Sequence, residues 1–179
     1  MRAIGKKTSF GQQLSHSSWL MHEFTTLERL YSLGAAVPKP VAANDNALLM
    51  GYCGDERQAA PALSSVRLGA RVAQRLFEEA LRNIELMLAH GFIHGDLSAY
   101  NILYWEGRIT LIDFPQVTYA ATNPDARAIF ERDITRVCDY FLAQGVHIQP
   151  SRIAAEFWER HVESGPDDMM PSGESLELL

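Results

Sequence analysis

The feature that most constrains this chain is a pair of β-prone runs, Ile102–Trp105 and residues 108–112, separated only by Glu106-Gly107. Two residues with glycine second are the length and composition of a tight hairpin turn. Such a turn fixes one register. With Trp105 opposite Arg108, Tyr104 faces Ile109, Leu103 faces Thr110, Ile102 faces Leu111 and Asn101 faces Ile112, leaving Asp113 one step beyond. Asn101 and Asp113 therefore meet at the open end, where cross-strand neighbours lie about 5 Å apart. An amide oxygen and a carboxylate at that spacing suit one hard cation, which prefers oxygen ligands.

Just upstream stands His94-Gly95-Asp96. The spacing of Asp96, Asn101 and Asp113 is that of the kinase pattern H-R-D-x-x-x-x-N followed by a metal-binding Asp. Catalysis there is mainly positioning and charge neutralisation around a transferred phosphate. In those roles Asp96 orients the attacking hydroxyl or water and accepts its proton. Asn101 and Asp113 hold the magnesium that bridges the nucleotide phosphates, and His94 braces the loop. The bland alternative is a hairpin with turn polars at its mouth, Asp96 capping a loop and Asn101 ending it.

A chain of 179 residues can build one domain with a real core, or a lobe plus part of a second, but not a whole protein kinase. Its net charge of -6 argues against a dominant nucleic-acid-binding surface, so no direct nucleic-acid partner is expected. Apolar runs stop well short of about 18 residues, and the start lacks the apolar stretch of a signal peptide, so the expectation is a cytoplasmic chain without a membrane segment. Cys53 and Cys138 sit in apolar surroundings without paired spacing, which reads as buried reduced thiols.

Along the chain, residues 1–15 are polar and carry Gly5 and Gly11, the composition of a loop. From Ser17, apolar Leu20, Phe24, Leu27 and Tyr31 recur at helical spacing, with Ser17 or Ser18 as N-cap and Gly34 as the stop. Glu23 lies mid-helix on a neighbouring face, and the residues alone favour a solvated surface charge there. Val37-Pro38-Lys39-Pro40 must be extended. Residues 41–43 and 47–53 read as short strands around Asn44-Asp45-Asn46. Residues 69–89 give the longest helical pattern, ended by His90-Gly91. Residues 119–124 read as loop, residues 125–144 as a second strong helix that contains Asp133, and residues 151–162 as a third, capped by Ser151 and showing Ile153, Phe157 and His161 on one side. From Glu163 onward the composition is that of a disordered tail.

Taken together, these residues resemble the RIO-type atypical protein kinases, in the branch found in bacteria. The resemblance rests on Val37-Pro38-Lys39-Pro40, on the loop from His94 to Asn101, on Leu111-Ile112-Asp113-Phe114-Pro115-Gln116, and on the helical stretch from Arg132-Asp133-Ile134 to Phe141. It covers about residues 8–160. An Asp followed by Phe-Pro-Gln stands where ordinary kinases have D-F-G. The resemblance implies an α+β, protein-kinase-like fold: a truncated N-lobe in residues 1–53, a mainly helical C-lobe with the catalytic hairpin in residues 54–162, and a tail in residues 163–179. It implies ATP and Mg2+ as cofactors, with serine or threonine phosphorylation, the chain itself being a candidate substrate, or ATP hydrolysis. Glu23 becomes the helix glutamate above the phosphates, and Met50, Tyr52 and Cys53 the hinge whose backbone meets adenine.

Two departures accompany the resemblance. Gly51 stands where the family usually has Glu, and no glycine-containing phosphate loop or strand lysine precedes Glu23, Lys6 and Lys7 being poor substitutes. Two other readings share the motif: a small-molecule phosphotransferase of the aminoglycoside or choline kinase type, against which Ser98-Ala99-Tyr100 and Pro115-Gln116 argue, and a non-catalytic pseudokinase-like binding module. With only the metal half of the phosphate site present, the 179-residue chain is expected to bind ATP at least about a hundredfold more weakly than a complete site does. Calorimetry that finds micromolar, magnesium-dependent binding overturns that expectation.

Overall fold

The computed structural model describes residues 9–164, with side chains from residue 20 onward. The first helix, α1, runs Ser9–Ser32. It therefore begins well before Ser17, and neither Ser17 nor Ser18 caps it. Residues 9–15, expected as loop, form its first turns. The one interrupting glycine, Gly11, costs a helix only about 1 kcal/mol, less than the neighbouring helix formers return. The buried stripe is Leu27 and Leu30, while Tyr31, expected on that stripe, is 45% exposed. Gly34 ends the helix at φ +84°. The N–H of Ala35 reaches the carbonyl of Leu30 and that of Gly34 the carbonyl of Tyr31, the paired bonds of a Schellman stop.

The connector after α1 is locked to the rest of the molecule at Ala36. Its N–H donates to buried Asn83 Oδ1 at 2.6 Å, and its carbonyl accepts from Leu111 N–H at 2.7 Å. Strands β1 (Pro40–Ala43) and β2 (Leu48–Met50) then pair antiparallel with a bulge after Pro40. Asn44 Oδ1 closes their turn on the N–H groups of Asn46 and Ala47. The strand expected over residues 47–53 is cut short because Gly54, at φ +137°, bridges back to Ala59. A Cβ there would lie 2.4 Å from the Gln58 carbonyl oxygen.

The segment after that reversal joins the hairpin. Tyr104 N–H donates to the Pro61 carbonyl, Ala62 bridges Leu103, and Ser64 N–H donates to the Ala99 carbonyl. Helix α2 spans Ala70–Ala89 and buries Leu76, Phe77, Ala80, Ile84, Met87 and Leu88. Two-residue strands β3 (Phe92–Ile93) and β6 (Thr118–Tyr119) pair with each other. Tyr119, read as the start of a loop, is thus paired with Phe92, and strands this short leave no periodicity to read. Between them β4 (Ile102–Trp105) and β5 (Arg108–Leu111) form the hairpin in the register deduced from its turn, with Glu106 at φ 45° and Gly107 at φ 80°.

Helix α3 spans Ala126–Ala143 and α4 spans Pro150–Trp158. Ser151 does not cap α4, because Pro150 already occupies the first turn, where its fixed φ favours helix and its missing N–H costs nothing. The chain then widens into a π turn, Glu159–Glu163, in which Arg160 and His161 pair with Glu85 of α2 and Glu163 pairs with Arg127 of α3. Glu163, expected in the tail, is therefore held on α3. Residues 165–179 lie outside the described residues. One core cluster draws on α1, α2, the hairpin, α3 and α4. Cys138 is fully buried within it, whereas Cys53, also expected to be buried, is half-exposed.

Asn83 carries the joint between α1 and this core, since its Oδ1 takes Ala36 N–H while its Nδ2 donates to the Glu79 carbonyl at 2.8 Å. Asn83→Ala strands the Ala36 donor, and urea denaturation is expected to show a loss of about 1–3 kcal/mol.

Candidate active site

The loop between β3 and β4 is held from below by α3. Gly95 sits at φ +85°, and a Cβ there would fall 2.1 Å from the Gln116 carbonyl oxygen, so only glycine fits. Buried Asp133 accepts the Gly95 N–H at 2.8 Å and the Leu97 N–H as well. Arg132 donates to the Gly95 carbonyl and lies 3.4 Å from the Asp133 carboxylate. Burial pushes the Asp133 carboxyl up, against the opposing pull of those two N–H groups and of Arg132. The residues on either side of Asp96 are thus fixed by one side chain.

Asp96 itself is half-buried. Its Oδ1 accepts from Arg136 Nη1 at 2.7 Å, while its carbonyl accepts the Asn101 Nδ2 donor at 2.9 Å. The second bond commits the amide nitrogen of Asn101 and leaves the amide oxygen as its remaining ligand atom. Asn101 and Ile112 are joined across the hairpin mouth by a 3.0 Å backbone bond, the pair deduced from the turn. Asp113 follows at φ 69° and is exposed.

His94 is buried and tilted against Phe114, with ring centroids 4.8 Å apart. Its Nε2 lies 3.1 Å from the Ile112 carbonyl, and its Nδ1 lies 3.4 Å from Asp96 N–H. These partners assign the proton to Nε2. Burial holds the imidazole pKa below its ordinary value, so the ring is neutral near pH 7 and ties the loop from His94 to Asn101 to the strand before Asp113.

Glu23 is not the solvated charge that the residues alone favoured. It is half-buried, and its carboxylate takes the Phe114 N–H. Burial raises its pKa, the Phe114 N–H lowers it, and the Asp113 charge raises it further. Asp113 has no cationic partner among the described residues, and no cluster of three or more His, Cys, Asp or Glu occurs among them. Two hard oxygen donors in an uncompensated anionic field fit a magnesium ion that takes its other ligands from phosphate and water.

A cleft of about 670 Å3 opens in front of Asp96. Asp96, Ser98, Tyr100 and Asn101 line one wall, and Arg136, Asp139 and Tyr140 of α3 line the other. Glu23, Met50, Tyr52, Cys53 and Asp113 do not line it. Met50 and Tyr52 are exposed, Tyr52 at 67%, at the end of the β1–β2 ribbon opposite its turn, where Met50 pairs with Pro40. Sequence reasoning noted Asp133 without a role and missed Arg136. A carboxylate among Phe130, Ile134 and Val137 on the apolar face of a helix was a legible signal for the first, since buried charges need partners. Nothing in the sequence singled out the second.

The neutral His94 gives a pH test. The unfolded chain takes up the proton near the ordinary value of about 6.5, whereas the folded chain resists until lower pH, so its contribution is complete above about 6.5 and is lost as pH falls toward the depressed folded value. Glu23 and Asp133, with raised values, act in the opposite sense at lower pH. Urea midpoints are expected to decline from pH 7.5 to 5.5 less steeply in His94→Gln than in the unaltered chain, the difference approaching at most about 1.4 kcal/mol per pH unit.

The RIO domain family model matches residues 2–153. The chain is 34% identical over 129 residues to the RIO-type serine/threonine-protein kinase Rio1 of Haloferax volcanii, with 72% of this chain and 43% of that protein covered. It is 30% identical over 135 residues to Rio1 of Thermoplasma acidophilum, with 75% and 69% covered. It thus spans less than half of the first relative's length. Its backbone superposes on the Rio2 kinase–ADP/Mg2+–phosphoaspartate complex of Chaetomium thermophilum with a TM-score of 0.70 at 24% identity, over 92% of this chain and 50% of that one.

Proposed function

The chain belongs to the RIO domain family, and on that footing we propose that it transfers the γ-phosphoryl group of ATP, with magnesium, to a serine or threonine hydroxyl or to water. The observation that carries this reading is the placement of Asp96: its backbone is held on both sides by Asp133, its Oδ1 is engaged by Arg136, and it lies on the wall of an open cleft. A base must be fixed where its substrate can reach it. With Arg136 on one oxygen, the other is left for the acceptor proton.

Asn101 and Asp113 would hold the magnesium, which supplies charge neutralisation at the phosphate oxygens. Asn101 also braces Asp96 through its Nδ2 bond, so one side chain ties the metal position to the base. His94 keeps the strand ahead of Asp113 in register with the loop. Glu23 takes the Phe114 N–H next to the Asp113 turn, and the strand lysine that the resemblance would pair with it has only Lys6 and Lys7 as poor substitutes in this sequence. The β2 end, with Met50, Tyr52 and Cys53, is assigned to adenine. A complex of the Rio2 relative with ADP and Mg2+ is in keeping with these ligands.

In a chain that supports turnover, Asp96→Ala is expected to lower kcat by at least about a hundredfold while changing nucleotide affinity less than about threefold, because the base acts on the acceptor and not on ATP. Nucleotide titration beside steady-state phosphate transfer checks this, and parallel losses in both would reduce Asp96 to a structural residue.

A further inference from the structure

The cleft in front of Asp96 has a chemical character of its own. Three charged side chains line it, Asp96, Arg136 and Asp139. The first two neutralise each other across 2.7 Å. Asp139 is exposed and has no hydrogen-bond or ion-pair partner among the described residues, so its charge is the one the cleft leaves over. Residues 136 and 139 share a face of α3 one turn apart, so the backbone of Asp139 lies about 5 Å along the helix from that of Arg136, whose guanidinium grips Asp96.

Two aromatic rings frame the same space. Tyr100 is 74% exposed. Tyr140 donates its hydroxyl to the Val66 carbonyl at 2.8 Å, so it is anchored from behind and offers the cleft its ring. A lone carboxylate flanked by aromatic faces is an environment for a cation. It is a poor one for an acidic or phosphorylated group, which Asp139 would repel.

We propose that this cleft selects hydroxyl acceptors that carry a positive charge beside the hydroxyl, and that Asp139 is the residue that sets this preference. The proposal rests on the phosphoryl-transfer reading of Asp96. The acceptor class it names is a serine or threonine in an extended segment with Lys or Arg one or two positions away. A residue in extended chain advances about 3.3 Å, so one or two steps cover about 3 to 7 Å, the scale of the one helical turn that separates Arg136 from Asp139 on the cleft wall. The acceptor hydroxyl loses its proton to Asp96 as its oxygen bonds to the γ-phosphorus, and the bond from that phosphorus to the β,γ-bridging oxygen breaks to release ADP. Asp139 takes no part in that exchange and acts only on which acceptor is bound.

The test uses the full chain with two serine peptides that differ only in Arg or Asp at the positions flanking the serine. Each is measured for binding by fluorescence anisotropy without nucleotide and for phosphate incorporation with ATP and Mg2+. The unaltered chain is expected to favour the Arg peptide by about tenfold in affinity and, where it turns over, in kcat/KM. Asp139→Asn is expected to erase the preference and Asp139→Lys to reverse it, the like charge now falling on the other peptide. The side chain is exposed, so both variants keep the fold, which thermal melting checks. Equal binding of the two peptides by the unaltered chain, or a preference that survives Asp139→Lys, overturns the proposal whatever the turnover. Asp139-dependent binding of the Arg peptide without any phosphate transfer sinks instead the activity proposed for Asp96 and leaves the cleft's charge selection standing.

Discussion

Everything at this site depends on a carboxylate that ought not to be buried. Asp133 lies among Phe130, Ile134 and Val137 at 2% exposure, where an unpaired charge would cost several kcal/mol. It is tolerated because the loop opposite turns two N–H groups toward it, those of Gly95 and Leu97. The dependence runs both ways. The loop lacks regular structure and needs acceptors for its donors, while the carboxylate needs donors for its oxygens. Asp96, between the two tethered residues, inherits a fixed position from a bond it does not make.

The same helix extends that control outward. Arg132 holds the Gly95 carbonyl, Asp133 the flanking N–H groups and Arg136 the Asp96 carboxylate. These residues and Asp139 lie along one side of α3, so a single rigid element sets the loop backbone, the Asp96 carboxylate and the far wall of the cleft. Rigid elements position chemistry better than loops do. Further along, the burial of Phe130, Val137 and Phe141 keeps α3 itself in place.

The other side of the site is governed by Ala36. Its two backbone bonds, to Asn83 of α2 and to Leu111 of β5, bring the end of α1 to the edge of the hairpin. That joint carries Glu23 onto Phe114 N–H and next to Asp113, so two carboxylates share a region with no cation among the described residues. Burial is the main reason the Glu23 pKa is raised, and the Asp113 charge adds a smaller push in the same direction. A divalent ion at Asp113 would relieve it.

The sequence by itself determined the hairpin, because a two-residue turn admits one register and the offsets of Asn101 and Asp113 follow by counting. It also determined α2 and α3, whose apolar periodicity exceeds any competing local preference, and the extended connector at Val37-Pro38-Lys39-Pro40. Only the tertiary structure decided the start of α1, the two-residue pairing of Phe92–Ile93 with Thr118–Tyr119, and the short reach of β2, since none of these has a period or cap strong enough to read. It alone brought Arg136 to Asp96 and Glu23 to Phe114, and it left Asp139 without a partner among the described residues. Contacts between residues that lie 40 or more positions apart, as Arg136 and Asp96 do, are set by how helices pack on the hairpin, and local sequence pattern carries no record of that packing.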